Sequence, residues 1–155
     1  IAATGQSVES LVRGLWATHG RCVYSRHDYE AIPSERADAL MRDLRAKLPT
    51  LAGTTLAGQS IAMADDFAYT DPVDGSVSQK QGVRIILVDG SRVVFRLSGT
   101  GTEGATLRIY LERHEPDPSR QDLPAQEALR PLIALAETVA QVRTHTGMDQ
   151  PSVMT

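Results

Sequence analysis

Two stretches of alternating apolar and polar residues lie on either side of a glycine-rich segment and predict a pair of neighbouring β-strands. They run from Ser91 to Ser98 and from Ala105 to Glu115, and Gly99–Gly104 separates them. Successive side chains of a strand point to opposite faces of a sheet, so each stretch has one apolar and one polar face. The apolar members are Val93, Phe95 and Leu97 in the first stretch, and Leu107, Ile109 and Leu111 in the second. We expect an antiparallel pair with one face against a core and the other free for polar chemistry.

Local signals elsewhere predict further strands together with amphipathic helices. Asp89-Gly90 is a strong two-residue hairpin signal, and it joins Ser91–Ser98 to another strand over Gly82–Val88. Helices are expected over Ser7–Gly20, from the N-cap Ser34 to Pro49, and over Ala125–His145; further strands are expected over Cys22–Ala31 and Gln59–Tyr69, and a loop over Thr70–Gln81. Hairpin-linked strands flanked by helices are typical of the α+β class. The predicted architecture is an antiparallel sheet of about four strands packed against helices.

Composition excludes several classes of function. With 16 Lys and Arg against 19 Asp and Glu, the net charge of −3 argues against a general nucleic-acid binder, which carries a basic surface. No apolar run approaches the roughly 18 residues of a membrane span. The one cysteine, Cys22, excludes an internal disulfide and fits a reducing compartment such as the cytoplasm. We expect residues 1–155 to form a single domain, with Cys22 as a small residue of its core.

Two arginines are expected to share the polar face of the predicted strand pair. If the apolar sets of both strands lie on the same side, Arg96 and Arg108 lie on the opposite side, and the register would allow them to be directly opposed. Like charges at opposed positions destabilise a sheet, and an anion between them would remove that cost. Arginine suits this role because its planar guanidinium makes bidentate, charge-assisted bonds to phosphate.

The glycine-rich segment supplies further groups that bind anions. Ser98, Thr100 and Thr102 carry hydroxyl donors. Gly99 and Gly101 can adopt the positive φ that lets successive backbone N–H groups converge on an anion. Together with the two arginines, these residues predict a phosphate-binding site at the end of the strand pair.

The segment is also compared with two other kinds of structure, a dinucleotide site and a plain turn. Gly99, Gly101 and Gly104 match the GxGxxG spacing, but a dinucleotide fingerprint requires a helix after it, and the alternation from Thr106 onward predicts a strand. A dinucleotide site is therefore excluded. A flexible six-residue turn with two unrelated surface arginines stays open, and Glu103 favours it because a carboxylate there repels phosphate unless it points away.

The same segment resembles a known family. Arg96–Tyr110, RLSGTGTEGATLRIY, is similar to the phosphate-binding loop in the C-terminal domain of phosphoglucomutases of the α-D-phosphohexomutase superfamily. The resemblance continues over most of the chain in the family's order, at Arg26–Glu30, Phe67–Ser76, Gln81–Arg84, Ala128–Leu132 and Pro151–Thr155. His27 departs from the aromatic residue that is usual in the first of these segments.

This resemblance implies the fourth domain of an enzyme that interconverts glucose 1-phosphate and glucose 6-phosphate, with a fold similar to the TATA-box-binding protein. The implied mechanism uses a phosphoserine, Mg²⁺ and glucose 1,6-bisphosphate, and this domain holds the substrate phosphate that is not transferred. The implied contacts are the side chains of Arg96, Ser98, Thr100 and Arg108 and the backbone N–H groups of Gly99, Gly101 and Thr102. The implied partners are a sugar phosphate and upstream domains of the same protein, with neither nucleic acid nor membrane.

Three segments of that family are missing here: Thr-Ala-Ser-His-Asn with the nucleophile, the Mg²⁺ loop Asp-Gly-Asp-Gly-Asp, and the sugar-recognition segment Gly-Glu-Glu-Ser. Asp71 and Asp74 come nearest to a metal pair, but carboxylates in such a turn usually cap backbone N–H groups. We therefore expect no catalytic or metal-binding residue in this chain, and catalytic domains upstream. Mg²⁺ and glucose 1,6-bisphosphate would serve only the intact enzyme. A non-catalytic sugar-phosphate binding module, and a mutase for mannose or glucosamine phosphate, stay open as alternatives.

Overall fold

The structure is a computed structural model that describes residues 5–101 and 104–155. Its helices are α1 (Val8–His19), α2 (Ser34–Leu51), α3 (Ala125–Ala128), α4 (Arg130–Ala140) and α5 (Val142–Thr146). Its strands are β1 (Arg21–Ile32), β2 (Thr55–Leu56), β3 (Gln59–Thr70), β4 (Val77–Leu87), β5 (Arg92–Gly101), β6 (Gly104–Glu115) and β7 (Val153–Met154). The predicted α+β class is confirmed.

In the part of the chain that the structure describes, the strands form one antiparallel sheet of seven, in the order β2-β3-β4-β5-β6-β1-β7. The β4–β5 hairpin turns at Asp89-Gly90, as predicted. There the Gly90 N–H donates to the Leu87 carbonyl at 3.0 Å, and the Ser91 N–H donates to the Asp89 carboxylate at 2.9 Å. Strands β5 and β6, with the glycine-rich segment between them, therefore lie in the middle of the sheet.

One face of the sheet packs against helices and forms the core. Val93 and Phe95 of β5 and Leu107 and Leu111 of β6 are buried there, which confirms the predicted apolar set. The helical residues buried in the same core are Ala37, Leu40, Met41 and Leu44 of α2, and Leu132, Leu135, Ala136 and Val139 of α4. The opposite face carries the polar residues of these strands. We call it the open face.

Among the described residues the sheet has seven strands rather than the predicted four or so. β2 and β7 contain two residues each, too few for an alternation pattern to be visible. β4 begins at Val77, inside the segment predicted to be a loop, and Val77 and Ser78 pair with Thr70 and Tyr69 of β3. This part of β4 is exposed, so its pairing depends on backbone hydrogen bonds and leaves no apolar signature in the sequence.

The helix predicted over Ala125–His145 is broken into α3, α4 and α5. The first break lies at Leu129, two residues before Pro131, which has no N–H to donate to the preceding turn. The second lies at Gln141, whose backbone is left-handed, with φ 49° and ψ 47°.

Within the described residues, no helix is both long and apolar enough to cross a membrane.

Helix α2 continues beyond the residue predicted to end it. Pro49 lies inside the helix, which runs on to Leu51. Proline removes one hydrogen bond from a helix, but the additional residues bring the Leu51 side chain into the core, where it is 5% exposed. Burial of this leucine offsets the loss.

Helix α1 is present as predicted but does not enter the core, and the prediction that Cys22 is a core residue is wrong. No residue of α1 is buried in the part of the chain that is described, and Val8 and Leu15 are largely exposed. Trp16 of this helix lies beside Arg21, with 4.6 Å between the guanidinium carbon and the ring centre. Cys22 is exposed because the alternation of β1 places it on the open face rather than toward the core.

Candidate functional site

Arg96 and Arg108 lie directly across from each other on β5 and β6. Both belong to the open face, since their chain neighbours Phe95 and Leu107 are buried in the core. Arg96 is exposed, and the side chain of Arg108 is 40% exposed. Adjacent strands are about 4.8 Å apart, so both guanidinium groups are within reach of one anion of phosphate size. The predicted shared face of the two arginines is confirmed.

The arginines of this face differ in their carboxylate partners. Arg92 donates from Nε to Glu112 at 2.8 Å and bonds the same oxygen through Nη2. Nε of Arg108 lies 3.6 Å from Oδ2 of Asp28, an ion pair that is too long for a hydrogen bond. Of the carboxylates in residues 5–101 and 104–155, none lies within 4.0 Å of Arg96. Arg96 and Arg108 therefore offer N–H groups to an added anion, whereas the guanidinium of Arg92 is already bound.

The predicted six-residue loop Gly99–Gly104 is mostly strand. β5 continues to Gly101 and β6 begins at Gly104, these two residues pair, and the ladder is irregular between Ser98 and Gly101. Gly104 has φ +93°, and a Cβ there would lie 2.8 Å from the carbonyl oxygen of Ile32. Only glycine lets β6 pass this close to the end of β1.

The remaining predicted contacts surround the end of the strand pair. Ser98 lies opposite Thr106, one step beyond the arginine pair on the same face. Gly99 has φ +67°, a conformation of the kind in which backbone N–H groups turn toward an anion. Thr102 and Glu103 lie outside the described residues, as does the side chain of Thr100.

Arg26 and Asp28 also belong to this site, and the sequence interpretation gave them no role. β1 lies beside β6, and Asp28 is directly opposite Arg108. The carboxylate of Asp28 is 5% exposed and accepts a 2.8 Å hydrogen bond from Nε of Arg26. The sequence feature that could have pointed to these two residues is the alternation of β1. In it, Ser25 and His27 point to the core, and Arg26 and Asp28 point to the other side. That pattern could not show which strand would lie beside β1.

Two shallow depressions lie on the open face on either side of Arg96. The first, about 520 Å³, is lined mainly by Tyr24, Arg26, Arg92, Val94, Arg96 and Tyr110. The second, about 400 Å³, is lined mainly by Phe67, Tyr69, Gly82, Arg84, Val94 and Arg96. A cavity of about 420 Å³ lies on the other side of the sheet, between β1 and α4, and no predicted site residue lines it. The space next to the predicted contacts is therefore on the open face.

The neighbouring carboxylates Asp65 and Asp66 are each bound to a separate arginine. Asp65 accepts bonds from Nε and Nη2 of Arg84 at 3.1 and 2.7 Å, and Asp66 accepts one from Nε of Arg45 at 2.9 Å. The hydrogen bonds to Asp65 raise the pKa of Arg84 above its ordinary value. The Arg84 guanidinium also lies 4.9 Å from the centre of the Phe67 ring. Arg84 is therefore engaged and is a poor candidate for a phosphate contact.

The residues that the structure describes do not fit a Mg²⁺ site. Across that part of the chain, no group of three or more His, Cys, Asp or Glu side chains lies close enough to share an ion. Asp71 accepts a bond from the Val73 N–H and Asp74 one from the Ser76 N–H, both at 2.8 Å. Hydrogen bonds from the side chain and backbone of Ser76 lower the pKa of Asp74. The interpretation of these two aspartates as turn caps is confirmed.

Comparisons with known proteins agree on one family. A family model described as phosphoglucomutase-1, C-terminal domain, matches residues 21–152. A phosphoglucomutase of Rhizobium radiobacter is 52% identical over 155 residues, which is 100% of this chain and 29% of that protein. A chloroplastic phosphoglucomutase of Solanum tuberosum is 53% identical over 152 residues, 96% of this chain and 24% of that protein.

A solved structure shows the same fold within a longer protein. It is the open form of the exocytosis-sensitive phosphoprotein pp63/parafusin, a phosphoglucomutase from Paramecium, with a TM-score of 0.87 and 38% identity. The match covers 99% of this chain and 26% of that one, so the chain spans less than a third of the length of these relatives. The family match over residues 21–152 includes β1, β5 and β6, and on these grounds the chain belongs to the phosphoglucomutase-1 C-terminal domain family.

Proposed function

We propose that this chain is the phosphate-binding domain of a phosphoglucomutase and holds the phosphate of the sugar substrate that is not transferred. The intact enzyme would interconvert glucose 1-phosphate and glucose 6-phosphate through a phosphoserine and glucose 1,6-bisphosphate, with Mg²⁺. The family and the names of the relatives support the reaction. The arrangement of Arg96 and Arg108 supports the role of this chain within it.

The opposition of Arg96 and Arg108 on an accessible face is the observation that carries the proposal. Each guanidinium can donate two parallel N–H bonds to phosphate oxygens. A bound phosphate would also remove the repulsion between two like charges at opposed positions. Further donors are proposed at the end of the strand pair, namely the hydroxyl groups of Ser98 and Thr100 and the backbone N–H groups of Gly99, Gly101 and Thr102.

A phosphate held on this face would contribute to catalysis without taking part in bond formation. Binding energy from a part of the substrate remote from the reacting bond can orient the reacting group. The nucleophile and the Mg²⁺ ligands are proposed to belong to other parts of the protein. We expect residues 1–155 to act as one domain against these upstream domains, and to contact neither nucleic acid nor membrane. The single exposed thiol of Cys22 supports a cytoplasmic location.

Steady-state kinetics of the full-length protein test the proposal. Conversion of glucose 1-phosphate to glucose 6-phosphate is measured with Mg²⁺ and glucose 1,6-bisphosphate for the wild type and for Arg96→Ala, Arg108→Ala and Arg92→Ala. We expect turnover by the wild type, a large loss in the first two variants and little change in the third, because Glu112 already binds Arg92. Wild-type activity in folded Arg96→Ala and Arg108→Ala would overturn the phosphate role.

The same assay, together with a binding measurement for glucose 6-phosphate, separates two other functions. A wild-type protein that binds glucose 6-phosphate without turnover would be a non-catalytic sugar-phosphate binding module. A higher kcat/KM with mannose 1-phosphate or glucosamine 1-phosphate than with glucose 1-phosphate would identify a mutase for a different sugar.

A further inference from the structure

Asp28 is a buried carboxylate on the open face of the sheet. Its side chain is 5% exposed, whereas Glu30, the next residue of β1 on that face, is exposed. Burying a carboxylate costs free energy unless it is paired and hydrogen-bonded. The groups that pair with this carboxylate therefore indicate the role of Asp28.

Two arginines of the site share the Asp28 carboxylate. Nε of Arg26 donates to Oδ1 at 2.8 Å, and Nε of Arg108 lies 3.6 Å from Oδ2. Each oxygen of Asp28 therefore faces a different guanidinium, and in both cases it faces the Nε atom. A guanidinium has five N–H donors, of which four are on the two terminal nitrogens. Both arginines consequently keep their terminal nitrogens for another anion.

The backbone holds Asp28 in place from both sides. β1 lies between β6 and β7, and Asp28 is opposite Arg108 on one side and Val153 on the other. On the β7 side, the Asp28 carbonyl also accepts a 2.7 Å bond from the Ser152 N–H. A side chain on a strand that is paired at both edges is a rigid support for its neighbours.

We propose that Asp28 is a positioning residue of the phosphate site, whose carboxylate orients Arg26 and Arg108 through Nε and so directs their terminal nitrogens toward the substrate phosphate. The inference rests on the proposed phosphate role of Arg108. Among the described residues, the buried Nε of Arg108 has no hydrogen-bond partner, so the ion pair with Asp28 is what orients it. Arg26 joins the site because it lines the same depression as Arg96.

Charge and orientation predict opposite effects of removing this carboxylate. Asp28 is negative, so by charge alone it repels phosphate, and its neutralisation would strengthen phosphate binding. If orientation dominates, neutralisation frees the arginines and weakens binding. The sign of the change in KM therefore distinguishes the two accounts.

Asp28→Asn in the full-length enzyme provides the test. We expect KM for glucose 1-phosphate to rise and kcat/KM to fall on the order of tenfold, the lower end of the contribution of a hydrogen bond to a charged group. An unchanged or lower KM overturns the proposal. If Asp28→Asn does not fold, Asp28→Glu replaces it: a displaced charge still predicts a raised KM, and wild-type kinetics of Asp28→Glu overturn the proposal.

A double-mutant cycle separates this inference from the proposed function. Asp28→Asn should lower kcat/KM less in an Arg108→Ala background than in the wild type, because one of the two arginines that it orients is gone. An equal loss in both backgrounds overturns the positioning role while leaving the phosphate role of Arg108 intact. No effect of Arg108→Ala alone overturns both.

Glu115 supplies a matched control. It is a second buried carboxylate, 4% exposed, at the far end of β6, where it accepts a 3.1 Å bond from Nε of Arg120. Glu115→Gln should lower the melting temperature and leave KM unchanged. A rise in KM as large as that of Asp28→Asn would mean that any buried carboxylate of the sheet has this effect, and the proposal would fail.

Discussion

Arg96 on β5 and Arg108 on β6 are cross-strand partners, and Asp28 on β1 continues the same row on the far side of Arg108. The row therefore reads cation, cation, anion across three neighbouring strands. The carboxylate offsets part of the charge of Arg108, but Arg96 still faces a like charge at the opposed position. An anion bound between the two arginines would complete the row, and this is the physical basis of the proposed preference for phosphate.

Alanine at either arginine should lower kcat/KM of the full-length enzyme by about 10- to 150-fold, because a hydrogen bond to a charged group contributes about 1.5–3 kcal/mol and a factor of ten corresponds to about 1.36 kcal/mol. Part of the loss should appear in kcat, since the proposed role of the held phosphate is to orient the reacting one. Arg96→Lys and Arg108→Lys should recover only part of the activity, because an ammonium keeps the charge but lacks the planar fork.

Thermal melts with and without glucose 6-phosphate check the same variants for folding. We expect Arg96→Ala to melt at or slightly above the wild-type temperature without ligand, since a like-charge pair is removed. Arg108→Ala should melt below Arg96→Ala, since the buried carboxylate of Asp28 also loses an ion-pair partner. The shift produced by glucose 6-phosphate should shrink in both and persist in Arg92→Ala. Loss of folding in the two variants without ligand would contradict this account.

The isolated chain of 155 residues should have no mutase activity. Phosphoryl transfer depends on positioned groups and metal ions around the reacting phosphate, and the proposed function places them outside this chain. The measurement is incubation of the purified chain with glucose 1-phosphate, Mg²⁺ and glucose 1,6-bisphosphate. Glucose 6-phosphate above the level of a buffer control would be the contrary result.

Gly82→Ala should destabilise the sheet and impair the site together. A Cβ at Gly82 would lie 2.7 Å from the Phe95 carbonyl oxygen and 2.8 Å from Cγ of Arg96. Because the first contact is with backbone, β5 must shift, and we expect a loss of about 1–3 kcal/mol in unfolding free energy. Displacement of Arg96 should also lower kcat/KM. Denaturant titration and steady-state kinetics measure the two effects.

Gly14→Ala is the control for that substitution. A Cβ at Gly14, in α1, meets no atom of the described residues within 4 Å. Alanine is the better helix former, so this change should stabilise the protein by about 0.5–1 kcal/mol. Equal unfolding free energies for Gly82→Ala and the wild type would refute the close approach of β4 and β5.

Tyr29 should make stability fall in alkaline solution. Burial, and then the charge of Glu137, raises the pKa of Tyr29 above its ordinary value of 10.0. Because the pKa is higher in the folded state, the stabilising contribution is full below the unfolded pKa and is lost as pH rises through the folded pKa. Urea titrations at about pH 9 and about pH 11 should show a larger loss of unfolding free energy in the wild type than in Tyr29→Phe. Equal losses would contradict the prediction.

Local patterns in the sequence were sufficient for the central strand pair. Alternation with period two predicted that Phe95 and Leu107 are buried and that Arg96 and Arg108 share the other face, because a shift of one residue would reverse both faces at once. The Asp89-Gly90 turn could also be predicted locally, because the conformation of a two-residue hairpin turn depends on the turn residues themselves. The local pattern did not predict the exposure of α1. This helix has an apolar stripe, but no described part of the chain covers it.

The neighbours of each strand could not be inferred in this way. Arg26 and Asp28 are two residues apart on β1, but Arg108 reaches the Asp28 carboxylate only because β1 enters the sheet beside β6. Strand order depends on how the apolar faces of all the strands and helices close on one core, and no segment carries that information locally. The shared face of Arg96 and Arg108 is thus a property of a local pattern, whereas the contact of Arg108 with the buried carboxylate of Asp28 follows from the packing of segments far apart in the chain.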